Sequence, residues 1–301
     1  MTKQGKWVIG CSTILLVVVL GTSFLLYSFF SVENEFEDEK IFGKAGSSKI
    51  AIIELKDEIF ESENIVRQLK KYGNNENIDA IVLRVNSPGG DVAASQEIFE
   101  EVKKVREIKP IITSFGSVAA SGGYYVALGS TKIVSNPGSV TGSIGVISQY
   151  MNLEELLSKV GIHSTTIKSG KFKDSGSLFR EMTEDEKKYL QETIDDVYIQ
   201  FINVVSFERN ISLKKVKELA NGKIYTGQKA FELGLVDTIG TFEDAISIAA
   251  NLSGIIGEPT IVKERKTQKL MDYIFNDVQT KIMNQAINLV KPSVLQYKFQ
   301  Y

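Results

Sequence analysis

The first apolar run of the chain is also its longest. No charged residue occurs from Trp7 to Val32, and Val, Ile, Leu and Phe dominate the stretch. About 20 apolar residues at 1.5 Å each cross a hydrocarbon core, so the run is long enough to span a bilayer as one helix. Lys3 and Lys6 precede it, and Glu33, Glu35, Glu37, Asp38 and Glu39 follow. That asymmetry predicts a single-pass anchor in the cell membrane, N-terminus cytoplasmic and the rest extracytoplasmic. A cleaved signal peptide is the competing reading. The run is long for an h-region, however, and no A-x-A-like site follows it. Cys11 sits too near its start to be a lipoprotein cysteine.

Residues 33–48 are acidic and then contain Gly43, Gly46, Ser47 and Ser48, with little periodicity, and read as a juxtamembrane tether. Beyond them, short β-branched runs alternate with amphipathic stretches. Strands are predicted at 49–55 (KIAIIEL), 79–85 (DAIVLRV), 110–115 (PIITSF), 132–135 and 163–168. Helices are predicted at 62–72, where Ile65, Val66 and Leu69 share a face, and at 92–108, through Ile98, Val102 and Val105. This alternation predicts an α/β domain with a largely parallel sheet covered on both faces. The later half is mainly helical. Thr183 and Glu186 make a capping box for a helix to about residue 208, with Leu190, Ile194, Val197 and Ile199 or Phe201 inward. Shorter helices are predicted at 212–220, 226–233 and 241–252, and an amphipathic one at 272–290. The organisation is therefore 1–32 anchor, 33–48 linker, 49–257 globular domain and 258–301 helical extension and tail. The tail ends Tyr297-Lys298-Phe299-Gln300-Tyr301. It is expected to be disordered, with occupation of a groove as a pseudo-substrate the alternative.

Composition narrows the chemistry. A hydrophobic share of 43%, a charged share of 24% and 5 prolines describe an ordered chain. Lys+Arg 35 against Asp+Glu 37 leaves a net charge of -2, so no basic field points to nucleic acid. One cysteine excludes an intrachain disulfide framework, and one histidine means that a Ser-His-Asp triad would have to use His163. That residue sits in a plain Gly-Ile-His-Ser context with no catalytic look to it.

Three glycine-rich segments remain. Asn86-Ser87-Pro88-Gly89-Gly90-Asp91 follows a strand and precedes a helix, where glycines let backbone N–H groups face an incoming anion. It lacks the phosphate-loop patterns, and alone it would be a tight turn. Ser121 stands in Ala119-Ala120-Ser121-Gly122-Gly123-Tyr124-Tyr125, among residues too small to bury it, and opens a helix. It is either an N-cap or a nucleophile beside an oxyanion-donating Gly122 amide. Thr141-Gly142-Ser143-Ile144-Gly145-Val146 is followed by Lys168-Ser169-Gly170-Lys171-Phe172-Lys173-Asp174. Three lysines so close usually mark a solvated loop, although a lysine with a lowered pKa can act as a general base. With no well-placed histidine, Ser/Lys chemistry is the economical combination.

The ordered set NSPGGDV, ASGGYYVA, TGSIGV, KSGKFKD and KIYTGQKAFELGLVD resembles the signal peptide peptidase A (SppA) family of membrane-bound serine proteases. The likeness runs from about residue 49 to 250, in the short form with one protease domain. It implies a Clp protease/crotonase-like α/β fold. It further implies that Ser121 is the nucleophile, Lys173 the general base within the same domain, and Ser143 the residue positioning the lysine. Gly89 and Gly122 would be the oxyanion donors, with no metal or cofactor required. The implied assembly is a homo-oligomeric ring, commonly octameric, whose grooves are completed between neighbours. The implied substrates are apolar peptides at the outer membrane face, remnant signal peptides among them. A stomatin-linked type of Ser/Lys protease and a non-catalytic anchored scaffold are the rival readings. An acyl-CoA enzyme of crotonase type is disfavoured, since the anchor holds the domain away from cytoplasmic CoA.

Overall fold

A computed structural model describes residues 19–21, 23, 36–42, 48–266 and 295–299. The span read as a membrane anchor lies outside the described residues, except for helical positions 19–21 and 23. Among the described residues, no helix is long and apolar enough to cross a membrane.

The central sheet is built from β1 (Phe36–Phe42), β2 (Lys49–Lys56), β3 (Ala80–Ser87), β5 (Ile111–Ala120), β6 (Lys132–Ser135), β9 (Thr238–Ile239) and β10 (Thr260–Lys266). Their order across the sheet is β1-β10-β2-β3-β5-β6-β9. From β10 to β9 every neighbouring pair is parallel. Both faces are covered, because successive strand residues point to opposite sides and both sets are apolar. In β2, Ala51, Ile53 and Leu55 enter a large core, while Ile50 and Ile52 enter a smaller one. The first face is closed by α1 (Glu63–Gly73) and α2 (Val92–Arg106). The second is closed by α8 (Phe242–Leu252), whose Ala245, Ala249 and Ala250 let it lie close to the strands.

Two features position a site. β3 ends at Ser87 and is followed at once by β4 (Gly89–Asp91). β5 runs five residues past the predicted end at 115, through the small-residue run to Ala120, and there pairs with β7 (Val140–Gly142). The short helix α3 (Gly122–Ala127) follows, so Ser121 stands at the carboxyl end of a parallel strand, where open α/β sheets bind ligands.

Further along, α4 (Glu154–Lys159) precedes α5 (Glu184–Arg209), which begins with the predicted capping box at Thr183. Val197 and Phe201 are buried on α5, whereas Ile199 is exposed. The chain continues through α6 (Leu213–Leu219), β8 (Ile224–Thr226) and α7 (Gly227–Glu232).

Three expectations are corrected. Residues 163–168 form no strand: residues 158–173 are all exposed, and β-branched composition without a partner to pair with does not make one. Phe36–Phe42, read as tether, is an edge strand antiparallel to β10, and its charge-rich FEDEKIF sequence is what an edge tolerates. Part of the tail is ordered as well: β11 (Gln296–Lys298) pairs antiparallel with β4. The helix predicted at 272–290 lies outside the described residues.

Candidate active site

Ser121 is 1% exposed, contrary to the expectation that its small neighbours would leave it open, and its Oγ has no hydrogen-bond partner. Although it occupies the N-cap position of α3, it makes no side-chain cap. Its φ of 51° and ψ of -116° belong to the first central position of a type II′ turn, which glycine normally takes. A buried hydroxyl without a partner costs about 1–3 kcal/mol, and the strained backbone adds to that. The residue therefore does nothing for the helix that a glycine would not do better.

The turn is fixed by its surroundings. Ser121 N–H donates to the Gly142 carbonyl at 2.8 Å, which brings Ser143 alongside. Ser143 is nearly buried with φ 50°, and its N–H donates to Lys223 O at 2.8 Å. Gly89 reaches the same spot from β3: a Cβ there would lie 2.6 Å from Gly122 N. The Gly89 N–H itself donates to Ser87 Oγ at 3.1 Å. Four of the five expected site residues, Ser121, Ser143, Gly89 and Gly122, thus come together.

An extended segment already lies in this place. On one side β11 pairs with Gly89–Asp91, in the register Tyr297↔Gly90 and Lys298↔Gly89. On the other, Gln296 and Ile147 exchange two backbone hydrogen bonds of 3.0 Å. The Tyr297 carbonyl oxygen rests against both glycines, since an added Cβ would meet it at 2.0 Å on Gly89 and 3.0 Å on Gly122. The Tyr297 side chain is fully buried, stacked on Tyr125 at 5.1 Å and tilted against Phe201 at 4.6 Å. Its hydroxyl donates to Val197 O at 3.3 Å, and burial pushes its pKa up, so the phenol stays neutral. A peptide is thus held by main-chain bonds on both edges and by one aromatic side chain in a pocket, a form of β-augmentation.

Lys173 is placed differently. It is exposed, in a run of turns, and the unpartnered Ser121 Oγ places the Lys173 amine beyond hydrogen-bond distance within one chain. The loop around it is nonetheless well anchored. Arg180 bonds Asp174 through Nε at 2.9 Å and Nη2 at 2.7 Å, and also grips Glu186, to which its Nη1 donates at 2.9 Å. Glu186 in turn accepts from the Thr183 N–H at 2.8 Å and from Ser175 Oγ at 3.2 Å. Lys168 pairs with Asp174, and Lys171 with Asp185. The Arg180 guanidinium holds the carboxyls of both Glu186 and Asp174 well below the usual range, Thr183 helping on the first and Lys168 on the second. Depressed carboxyl pKa values stabilise the loop above their ordinary values of about 4 and withdraw that support as pH falls further. Amide exchange over residues 172–182 is expected to accelerate between about pH 4 and pH 2 beyond its intrinsic change, ahead of the core. Exchange that tracks the core throughout would remove the network from this role.

The model of peptidase family S49 matches residues 103–255, which include Ser121, Gly122, Ser143 and Lys173. The chain belongs to peptidase family S49. The Clp protease model matches residues 37–140, covering Gly89 and the Ser121 turn. A putative protease of Methanocaldococcus jannaschii is 37% identical over 265 residues, covering 83% of each chain. A putative protease of a Synechocystis strain is 50% identical over 176 residues, 58% of this chain and 64% of that one. A putative signal peptide peptidase SppA of Enterococcus faecium is 44% identical over 190 residues, 63% of this chain and 55% of that one. The S49 chain thus spans less than two thirds of the length of the last two. Among solved structures, a point mutant of ClpP1 from Listeria monocytogenes aligns over 64% of this chain and 93% of its own, with a TM-score of 0.46 at 16% identity. The S49 and Clp protease models overlap across the Ser121 turn of this S49 member.

The sequence did not reveal every residue that surrounds this site in the S49 chain. The aromatic pocket of Tyr125 and Phe201 was missed, although Tyr125 stands four residues after Ser121 in a motif already singled out. Ile147 and the Arg180 network were missed too, because neither has a local signature. The close approach of Gly89 carries a prediction. Gly89→Ala puts a methyl where the Tyr297 carbonyl lies, at a φ of 97° that alanine resists. Peptide hydrolysis should fall at least a hundredfold, with a stability loss of about 1–3 kcal/mol. Steady-state kinetics and thermal melting check both.

Proposed function

We propose that the protein is a membrane-anchored serine endopeptidase using Ser121 as nucleophile and Lys173 as general base. The observation that carries this reading is the seat of the Tyr297 carbonyl, against Gly89 and Gly122 and beside a buried hydroxyl with no structural task. The neutral amine of Lys173, oriented by Ser143, takes the Ser121 proton as Oγ bonds the peptide carbonyl carbon. Charge gathers on the carbonyl oxygen, where the amides of Gly122 and Gly89 receive it, the latter turning from Ser87. Each such donor is worth about 3–4 kcal/mol in other enzymes. Lys173 returns the proton to the leaving nitrogen as the C–N bond breaks, and water repeats the cycle on the acyl-enzyme.

Since the two groups do not meet within one chain, Lys173 must be delivered to Ser121. The segment carrying it exposes Met151, Leu156, Val160, Ile162, Ile167 and Phe179, an apolar surface that a neighbouring copy would cover. A homo-oligomeric ring, an octamer in our reading, serves that need. The anchor at 7–32 would hold the ring at the outer face of the cell membrane, where apolar peptides such as remnant signal peptides remain after secretion. The buried Tyr297 supports a preference for a large apolar residue before the cleaved bond. Treatment with a fluorophosphonate should label Ser121 and not Ser121→Ala, with labelling lost in Lys173→Ala; an adduct elsewhere, or none on the assembled protein, would overturn the proposal.

A further inference from the structure

The residue on the other side of the reacting bond also has a receptor, and nothing in the serine chemistry calls for it. Strand alternation turns Gln296 and Lys298 away from the aromatic pocket that holds Tyr297. Both meet Glu58. Lys298 Nζ lies 2.8 Å from Glu58 Oε2, with the two side chains 26% and 20% exposed. Gln296 Nε2 is 3.5 Å from Glu58 Oε1 and 3.5 Å from Asp91 Oδ1. Beyond Lys298 the Phe299 N–H donates to Pro88 O at 2.8 Å, which keeps the segment extended past the bond.

Glu58 is held where it is by backbone. Asp57 takes a positive φ of 61°, its N–H bonded to Asn86 O at 3.1 Å, and Ile59 exchanges hydrogen bonds with Gly89 and Asp91. The turn that carries Glu58 is thus stitched to the strand that carries Gly89. The adjoining pocket, of 610 Å³, is lined by Asp57, Glu58, Asn86, Pro88, Ser117 and Val118 together with Lys298 and Phe299 of the tail. Apart from the tail, that lining has two carboxylates and no cation.

We infer that Glu58 is a specificity-determining residue that selects a cationic side chain, lysine or arginine, immediately after the cleaved bond. The preferred class is then a peptide with an aromatic residue followed by a basic one, narrower than apolar peptides in general. The inference rests on the reading of Gly89 and Gly122 as the seat of the reacting carbonyl. An ion pair at this exposure is modest by itself, but exchanging lysine for glutamate replaces attraction with repulsion, and a difference on the order of tenfold follows.

The test uses the full-length protein and two matched peptides, acetyl-Leu-Gln-Tyr-Lys-Phe-amide and the same with Glu for Lys. The tail competes equally with both, so the ratio of their kcat/KM values is free of it. Wild type should favour the Lys peptide about tenfold, less at high salt. Glu58→Gln should bring the ratio near one, and Glu58→Lys should invert it, each rate being read relative to a matched Tyr-Ala peptide in the same protein so that any change in tail occupancy cancels. A ratio unchanged by Glu58→Lys would overturn the inference. If wild type cleaved none of the peptides, the protease reading would fail first, and competition binding of the same pair would still judge Glu58 by the same inversion.

Discussion

Replacing Ser121 by alanine is expected to abolish peptide hydrolysis and, at the same time, to raise the melting temperature. Loss of a serine nucleophile leaves only what positioning and the oxyanion donors supply, so a drop of at least a thousandfold is expected. The stability change has the opposite sign because the Ser121 hydroxyl is buried without a partner and caps nothing. Removing it relieves about 1 kcal/mol of desolvation, which corresponds to about 2–4 °C in a domain of this size. An N-cap serine would behave otherwise, its loss lowering stability by about 1 kcal/mol. The direction of the melting shift thus separates the two roles that the sequence leaves open. A lower midpoint with activity retained would return Ser121 to the helix. Ser121→Gly should stabilise further, since glycine accepts φ 51° freely.

Lys173→Ala should be as inactive as Ser121→Ala, yet melt with wild type, because the side chain is exposed and the neighbouring Arg180 network does not use it. The separation of the two groups within a chain makes the mixture of the two dead proteins informative. In a symmetric assembly each copy presents the same surface to its neighbour. If Lys173 is delivered by that neighbour, randomly reassembled rings pair an intact serine with an intact lysine at about one site in four, and activity returns to roughly that fraction. Mixtures that stay inactive after verified subunit exchange would mean that the loop closes on its own chain instead. Hydrolysis by Lys173→Ala alone at the wild-type rate would end its role as base.

How much of this was readable beforehand depended on how far each feature reaches along the chain. The strands KIAIIEL and DAIVLRV announced themselves because both their faces are buried, and Thr183 with Glu186 because a capping box is a four-residue pattern. The glycines beside Ser121 were equally visible, as small residues at the end of a strand. Their convergence with Gly89 was not, since it depends on β3 and β5 being neighbours. The same holds for the two elements read as loose chain. Phe36–Phe42 becomes a strand only opposite Thr260–Lys266, and Gln296–Lys298 only opposite Gly89–Asp91, with Gln296 and Asp91 205 residues apart. The 163–168 stretch is the converse case. Its composition favoured a strand, and no partner was there to complete it.

The strand that fills the site belongs to the same molecule, so its occupancy does not depend on how much protein is present. A covalently tethered ligand of this kind typically acts at an effective concentration in the millimolar range. In the proposed protease an outside peptide must displace it, which multiplies the apparent KM by one plus the ratio of occupied to vacant sites. Dilution will not relieve that burden, whereas shortening the chain before Gln296 will. In the proposed protease, weak encounters would be filtered out, and only peptides that satisfy the aromatic pocket and both backbone edges together would gain entry.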